Sequence, residues 1–206
     1  MNKSALMNLK PAFEGLGFRS VSLRKHEPLF HEGELATAVY RLERGCIRLQ
    51  IDSEDGNREI VTFLFPEDVF FVGFKTYWAS AYAVTDSSVA VYSLSAFWAH
   101  IAADAEAAIA ALHSADELVE NVAHHLALLT HARGDARLRW FLDWMMSRSP
   151  TPENGSEVHL PMSRRDIADF LGIAPETVSR LFLRMESRGE LRRADGHKSV
   201  LRLPGR

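Results

Sequence analysis

Cysteine is nearly missing from this 206-residue chain: Cys46 is the only one. A lone cysteine excludes an intrachain disulfide and any all-cysteine metal or iron–sulfur site within one chain. No apolar run approaches the roughly 20 residues of a membrane span, and Met1 to Leu9 does not have the build of a secretory signal. A cytoplasmic location with no membrane partner is the expectation. Internal repeats and low-complexity segments are absent, and the nine histidines contain neither an HxH nor an HExxH pair. Proline is absent from Ser95 to Arg133, so nothing there interrupts a helix.

What is present is an ordinary folded composition, 47% hydrophobic and 25% charged, long enough for one large domain or two small ones. The net charge of −3 hides an asymmetry. From Pro161 onward ten Lys/Arg stand against six Asp/Glu, leaving that tail at +4 and residues 1–160 at −7. A small basic module on a larger acidic one suits a protein that meets phosphate with one end only.

Residues 1–18 read as a short leading helix or arm, broken by Gly15 and Gly17. From Arg19 to Leu94 short apolar runs alternate with turns: Val21 and Leu23, Leu29–Phe30, Val39 to Leu42, Ile47 to Ile51, Ile60–Phe65, Val69–Val72, Tyr82–Val84, Val89–Tyr92. About eight strands at that spacing predict a β-roll or jelly-roll-like barrel, with a hairpin at Asp55-Gly56. From Ser95 the period becomes helical. Leu112, Ala115, Leu118 or Val119, Val122, Leu126 and Leu129 step by three and four, a heptad-like seam. That stripe either packs on the barrel or pairs with its own copy, and the dimer is the favoured reading. Gly134 breaks the helix, and a further one carries Leu138, Phe141, Leu142 and Met145. Residues 149–156 form a loop, and Val158–Leu160 are a candidate strand.

Met162 to Leu191 then read as a helix-turn-helix. Ser163 is an N-cap, with Ile167, Ala168 and Leu171 as the first apolar stripe. Gly172 ends that helix, Ile173 sits in the turn, and Pro175 opens the second helix. Val178, Leu181, Phe182 and Met185 form the second stripe; Glu176, Thr177, Ser179, Arg180 and Arg184 fall on other faces. Residues from Leu191 to Leu203, turning at Asp195-Gly196, read as a hairpin wing. The fold class is therefore α+β: an N-terminal β-roll (1–94), a long dimerisation helix (95–133) and a C-terminal winged helix-turn-helix (134–206).

With those elements in that order, the chain resembles the CRP/FNR family of bacterial transcription regulators across almost its full length. The most specific segment is Arg165 to Arg180, RDIADFLGIAPETVSR. Its Glu176-x-x-Ser179-Arg180 signature is similar to the FNR and FixK branch; the cyclic-AMP receptor branch has arginine where Pro175 stands and glycine where Ser179 stands. The resemblance implies a cyclic-nucleotide-binding-like roll, and a homodimer in which Glu176, Ser179 and Arg180 read a TTGAT-type half-site twice, as an inverted repeat. It also implies double-stranded DNA and RNA polymerase as partners. Glu176 and Arg180, four apart, share a helical face and are expected to brace each other. Arginine can bond guanine bidentately, and a carboxylate can accept from cytosine N4. Arg164, Arg165, Thr177, Arg184, Lys198 and Arg202 are the phosphate-contact candidates; for the arginines and the lysine the alternative is plain solvated charge.

The resemblance also exposes losses. Aligning Gly73-Phe74-Lys75 and Ala79-Ser80-Ala81 with the nucleotide branch puts Phe74 at its glutamate and Ala79 at its phosphate-binding arginine. Without that arginine a buried phosphate lacks its bidentate partner, so cyclic AMP is not expected to bind in the family mode; Lys75 remains as a point charge. No cysteine cluster precedes Cys46, so the iron–sulfur cofactor of one branch is not expected, and Cys46 is read as a buried structural residue. No metal site or cofactor is expected. Haem, held through His113, His124, His125 or His131, is the effector alternative. The segment His26, His31, Glu32, Glu34 is similar to a cupin metal site, the enzyme alternative, but lacks its HxH core. The aromatic group Phe63, Phe65, Phe70, Phe71, Phe74, Tyr77 and Trp78 reads as a filled barrel core, against an apolar ligand pocket.

Overall fold

The computed structural model describes residues 13–53, 56, 58–148, 157–191 and 199–202. Within the helices and strands, the side chains of residues 114, 115, 117, 118, 121, 131, 157–159 and 199–202 are outside the described set. The chain divides within one long helix into two compact units, Asn2–Val122 and Ala123–Arg206.

The first unit is the β-roll. Eight strands, β1 (Phe18–Leu23), β2 (Pro28–Phe30), β3 (Ala38–Arg44), β4 (Ile47–Asp52), β5 (Arg58–Leu64), β6 (Val69–Phe70), β7 (Ser80–Ala83) and β8 (Ser87–Ser93), form two antiparallel sheets. Their orders are β1-β8-β3-β6 and β2-β7-β4-β5. Each apolar run of the sequence becomes one strand, because alternation puts Tyr40, Leu42, Val89 and Val91 of one sheet and Ile47, Leu49, Ala81 and Ala83 of the other into a shared core. The β4–β5 hairpin pairs Asp52 with Arg58 across Gly56, whose φ is +81°. Cys46 is fully buried but lies in the turn before β4, not in a strand. The neighbouring Gly45 has φ +97°, and a Cβ there would collide with Ser87 Oγ.

The helical stretch after β8 is not continuous. Helix α1 (Leu94–Ala103) stops at Asp104, and α2 (Ala105–His131) starts anew. Asp104 turns its backbone out of the helix, with φ −126° and ψ 111°. Its Oδ1 accepts from the backbone N–H of Glu106 at 2.9 Å and of Ala107 at 3.1 Å, which caps the second helix and separates it from the first.

In the second unit the end of α2 is succeeded by α3 (Gly134–Arg148), β9 (Glu157–Leu160), α4 (Arg164–Leu171), α5 (Pro175–Ser187) and β10 (Ser199–Arg202). Helix α3 begins on Gly134 itself, the residue expected to break the preceding helix. Among the described residues β10 pairs antiparallel with β9, Ser199 opposite Leu160 and Arg202 opposite Glu157. The last strand thus has a partner ahead of the helix-turn-helix in sequence; the other half of the hairpin expected within 191–203 is not among the described residues. Residues 192–198, including Lys198 and the Asp195-Gly196 turn, lie outside the described residues.

Candidate nucleic-acid interface

The helix-turn-helix is set from its first residue. Ser163 Oγ accepts from the N–H of Asp166 at 3.0 Å, and the Asp166 carboxylate accepts from the N–H of Ser163 at 3.0 Å and its hydroxyl at 2.6 Å. This reciprocal box satisfies orphan donors at the start of α4 and explains a buried aspartate on an otherwise apolar face. Helix α4 ends at Gly172 in the left-handed region, φ +60° and ψ 41°. Two residues later Pro175 takes the first position of α5, where its missing N–H costs nothing. Ile167, Ala168 and Leu171 from α4, and Val178, Leu181, Phe182 and Met185 from α5, are buried, as are Leu138, Phe141, Leu142 and Met145 of α3. Phe170, absent from the sequence-derived stripe, is buried as well and meets the Phe141 ring at 5.7 Å.

Opposite that core, α5 presents Glu176, Ser179 and Arg180, all exposed. Arg180 does not pair with Glu176: its Nη2 donates to Thr177 Oγ1 at 3.2 Å, one turn back. Ser179 Oγ donates to the Pro175 carbonyl at 3.0 Å, leaving its lone pairs to accept. A fourth residue joins this face. Leu183, seven beyond Glu176 and three beyond Arg180, is 55% exposed; its i+7 spacing was the signal that could have found it.

The phosphate candidates separate. Arg165 and Arg184 are exposed. Arg164 instead lays its guanidinium over the buried Phe182 ring, 3.2 Å from the centroid, a packing contact of the cation–π kind. Thr177 is half-buried and holds Arg180. Lys198 and the side chain of Arg202 lie outside the described residues.

On α2, Leu112, Val119, Val122 and Leu126 are each more than half exposed, and Ile109 extends their stripe by one turn. Leu129 differs: it is half-buried and approaches Gly172, with Cδ2 at 3.6 Å from where a Cβ would stand. The side chain of Leu118 is outside the described residues.

Aromatic rings occupy the interior of the roll. Phe30 stacks on Tyr77 at 3.9 Å, Tyr40 on Phe70 at 5.1 Å, and the hydroxyls of Tyr40 and Tyr77 share a hydrogen bond of 2.6 Å. Burial, then the Tyr77 hydroxyl, push the Tyr40 hydroxyl far above the ordinary phenol range. Ala79 and Ala81 are fully buried against this cluster. Of the aromatic group expected to fill the core, Phe63, Phe70 and Tyr77 are buried. Phe74 and Trp78 are exposed: Phe74 directly follows Gly73, whose φ is +127°, and Trp78 alternates with the buried Tyr77 and Ala79. Phe74 then stacks on Trp98 of α1 at 5.4 Å.

Among the histidines, His125 is committed. Its ring stacks against both Trp140 and Phe170, 5.4 and 4.2 Å away, and its Nε2–H donates to the Phe170 carbonyl at 3.1 Å. Burial, and more weakly the Arg137 charge, hold it below the usual imidazole range, against the opposing pull of that carbonyl. His26, His31, Glu32 and Glu34 are all exposed. Among the described residues no three His, Cys, Asp or Glu are placed to share a metal ion, and no helix is long and apolar enough to cross a membrane.

Comparison with known proteins matches two family descriptions to successive parts of the chain. The family described as "Cyclic nucleotide-binding domain" matches residues 20–104, and "Crp-like helix-turn-helix domain" matches residues 136–205. The nitrogen fixation regulation protein FixK of Azorhizobium caulinodans is 33% identical over 192 residues, covering 91% of this chain and 76% of that protein. FixK of Bradyrhizobium diazoefficiens is 33% identical over 197 residues, covering 92% and 80%. The solved structure of FixK2 from Bradyrhizobium japonicum superposes with a TM-score of 0.83 at 31% identity, covering 91% of this chain and 93% of that one.

Proposed function

The chain belongs to the CRP/FNR family of transcription regulators, on its FixK-like side, and from that premise we propose that it is a homodimer reading an inverted repeat of TTGAT half-sites without a bound effector. That it is a DNA-binding regulator and not an enzyme follows from the family. The observation that carries the finer reading is the exposed face of α5. Glu176, Ser179 and Arg180 stand opposite a fully packed base, so they are free to enter a major groove while the rest of the helix stays fixed. Arg180 would take guanine O6 and N7, and Glu176 would accept from cytosine N4. Leu183 adds an apolar group suited to a thymine methyl.

The second copy is supported by the α2 stripe. Ile109, Leu112, Val119, Val122 and Leu126 step by three, seven, three and four, and burying such a stripe against its own copy would hold two α5 helices about one DNA turn apart, roughly 34 Å. The effector-free reading is supported by the ring cluster inside the roll and by Ala79, where the nucleotide branch has its arginine. Neither cyclic AMP nor an iron–sulfur cluster has a place in this reading, and RNA polymerase is its further partner, in the cytoplasm. Selection of bound duplexes from a random pool tests it. Enrichment of paired, inverted TTGAT half-sites, unchanged by added cyclic AMP, is expected. Enrichment of single half-sites, or dependence on cyclic AMP, would contradict it.

A further inference from the structure

One side chain in the second unit serves two helix ends at once. Arg137, in the first turn of α3, donates from Nη2 to the Leu129 carbonyl at 2.6 Å and from Nε to the Ala132 carbonyl at 3.0 Å. Its Nη1 donates to the Leu171 carbonyl at 2.9 Å and to that of Gly172 at 3.3 Å. Leu129 and Ala132 close α2; Leu171 and Gly172 close α4. The last carbonyls of any helix lack partners within it and carry the negative end of its dipole. A guanidinium is a flat, permanently charged fork, so it can hold acceptors from two helix ends in one fixed arrangement. His125 adds a third tie, from α2 to the Phe170 carbonyl just before.

This joint lies directly ahead of the reading helix. Only Ile173 and Ala174 separate Gly172 from Pro175, the start of α5. The direction in which α4 ends therefore sets where the reading helix begins. Nothing else among the described contacts ties the α4–α5 turn to the end of α2 by so many hydrogen bonds.

We propose that Arg137 is a positioning residue for DNA reading: it locks the reading helix to the end of the dimer helix and so sets the half-site spacing the dimer accepts. It touches no base in this scheme. Its effect falls on geometry between the two half-sites, not on recognition within one. A lysine keeps the charge but has a single nitrogen, and it cannot span four carbonyls on two helix ends.

The inference rests on the dimeric reading of the proposed function, and the test separates the two. Binding of full-length protein is measured on duplexes carrying TTGAT and ATCAA half-sites with spacers from two to six base pairs, each beside a control with one guanine per half-site changed. The wild-type protein should bind one spacer at least tenfold better than its neighbours. Arg137→Lys should flatten that spacer profile to within about threefold while keeping the guanine preference of each half-site. Ser163→Ala, which loosens α4 away from this joint, should weaken binding with the profile unchanged. A wild-type spacer profile in Arg137→Lys would overturn the proposal, as would failure of that variant to fold, since the residue would then be a folding requirement. Absence of any spacer preference in the wild type would overturn the dimeric reading first, and this inference with it.

Discussion

Removing the Arg180 side chain should cost reading and almost no stability. Arg180 is exposed, and the bond it makes within the protein is to the Thr177 hydroxyl at 3.2 Å. Surface substitutions of this kind stay within about 0.5 kcal/mol, and alanine is at least as good a helix former as arginine. For a chain of this size that moves the melting temperature by roughly 1–2 °C. A bidentate arginine–guanine pair carries roughly 1–3 kcal/mol of discrimination, which is about 5- to 150-fold per half-site at 1.4 kcal/mol per tenfold. A symmetric dimer loses it twice, so the full site should suffer roughly the square of that factor. Fluorescence anisotropy at fixed salt compares TTGAT-N4-ATCAA with the same duplex carrying adenine for each half-site guanine. Wild type should separate the two duplexes strongly; Arg180→Ala should separate them far less, keeping only what Glu176 reads at the cytosine paired with that guanine. Arg180→Lys should also lose most of the separation while keeping the salt dependence, because a point charge finds phosphate but not the guanine fork. If Arg180→Ala bound both duplexes more weakly yet kept their ratio, the reading face would be assigned to the wrong residues.

The geometry sets three further outcomes. Val122→Asp with Leu126→Asp places carboxylates on the exposed apolar stripe of α2, and should weaken self-association about a hundredfold or more, read by sedimentation, since burying unpaired charge costs several kcal/mol. Ser163→Ala removes the α4 cap and one partner of the buried Asp166 carboxylate, costing about 1–2 kcal/mol in chemical denaturation. His125 is held below its ordinary range by burial, so the unfolded chain takes up its proton first. Stability should be full above about pH 6.5 and fall as pH drops below that toward the depressed folded value. His125→Gln should lose that part of the pH dependence in thermal unfolding, and an unchanged profile would remove His125 as its source.

The reading helix was legible because everything that defines it is local. Ser163, Gly172 and Pro175 punctuate two stripes whose periods carry no ambiguity, and each sits in the structure where cap chemistry puts it. The eight strands were legible for the same reason: alternation within each run already names the inward face. The break at Asp104 has a local signal too, an aspartate two and three residues before the donors it caps, but the apolar period runs across it and masks it. Other features are not written locally at all. Strand β10 pairs with β9, on the far side of the helix-turn-helix in sequence; Arg164 finds Phe182 and Arg137 finds Leu171 only once the helices are packed. The bracing expected between Glu176 and Arg180 was a spacing argument, and Thr177, one turn back from Arg180, wins that arginine instead. Phe74 and Trp78 look like core by composition, yet Phe74 follows the turn at Gly73 and Trp78 falls on the outer side of an alternation with Tyr77 and Ala79.

The central claim, that two copies of α5 read an inverted repeat from one face of the duplex, is tested most directly by hydroxyl-radical footprinting on a TTGAT-N4-ATCAA duplex. Two protected segments centred on the half-sites are expected, about nine base pairs or roughly 31 Å apart along the axis and so close to one helical turn, with both lost together when either half-site is scrambled. Protection of a single half-site, unaffected by scrambling the other, would contradict it.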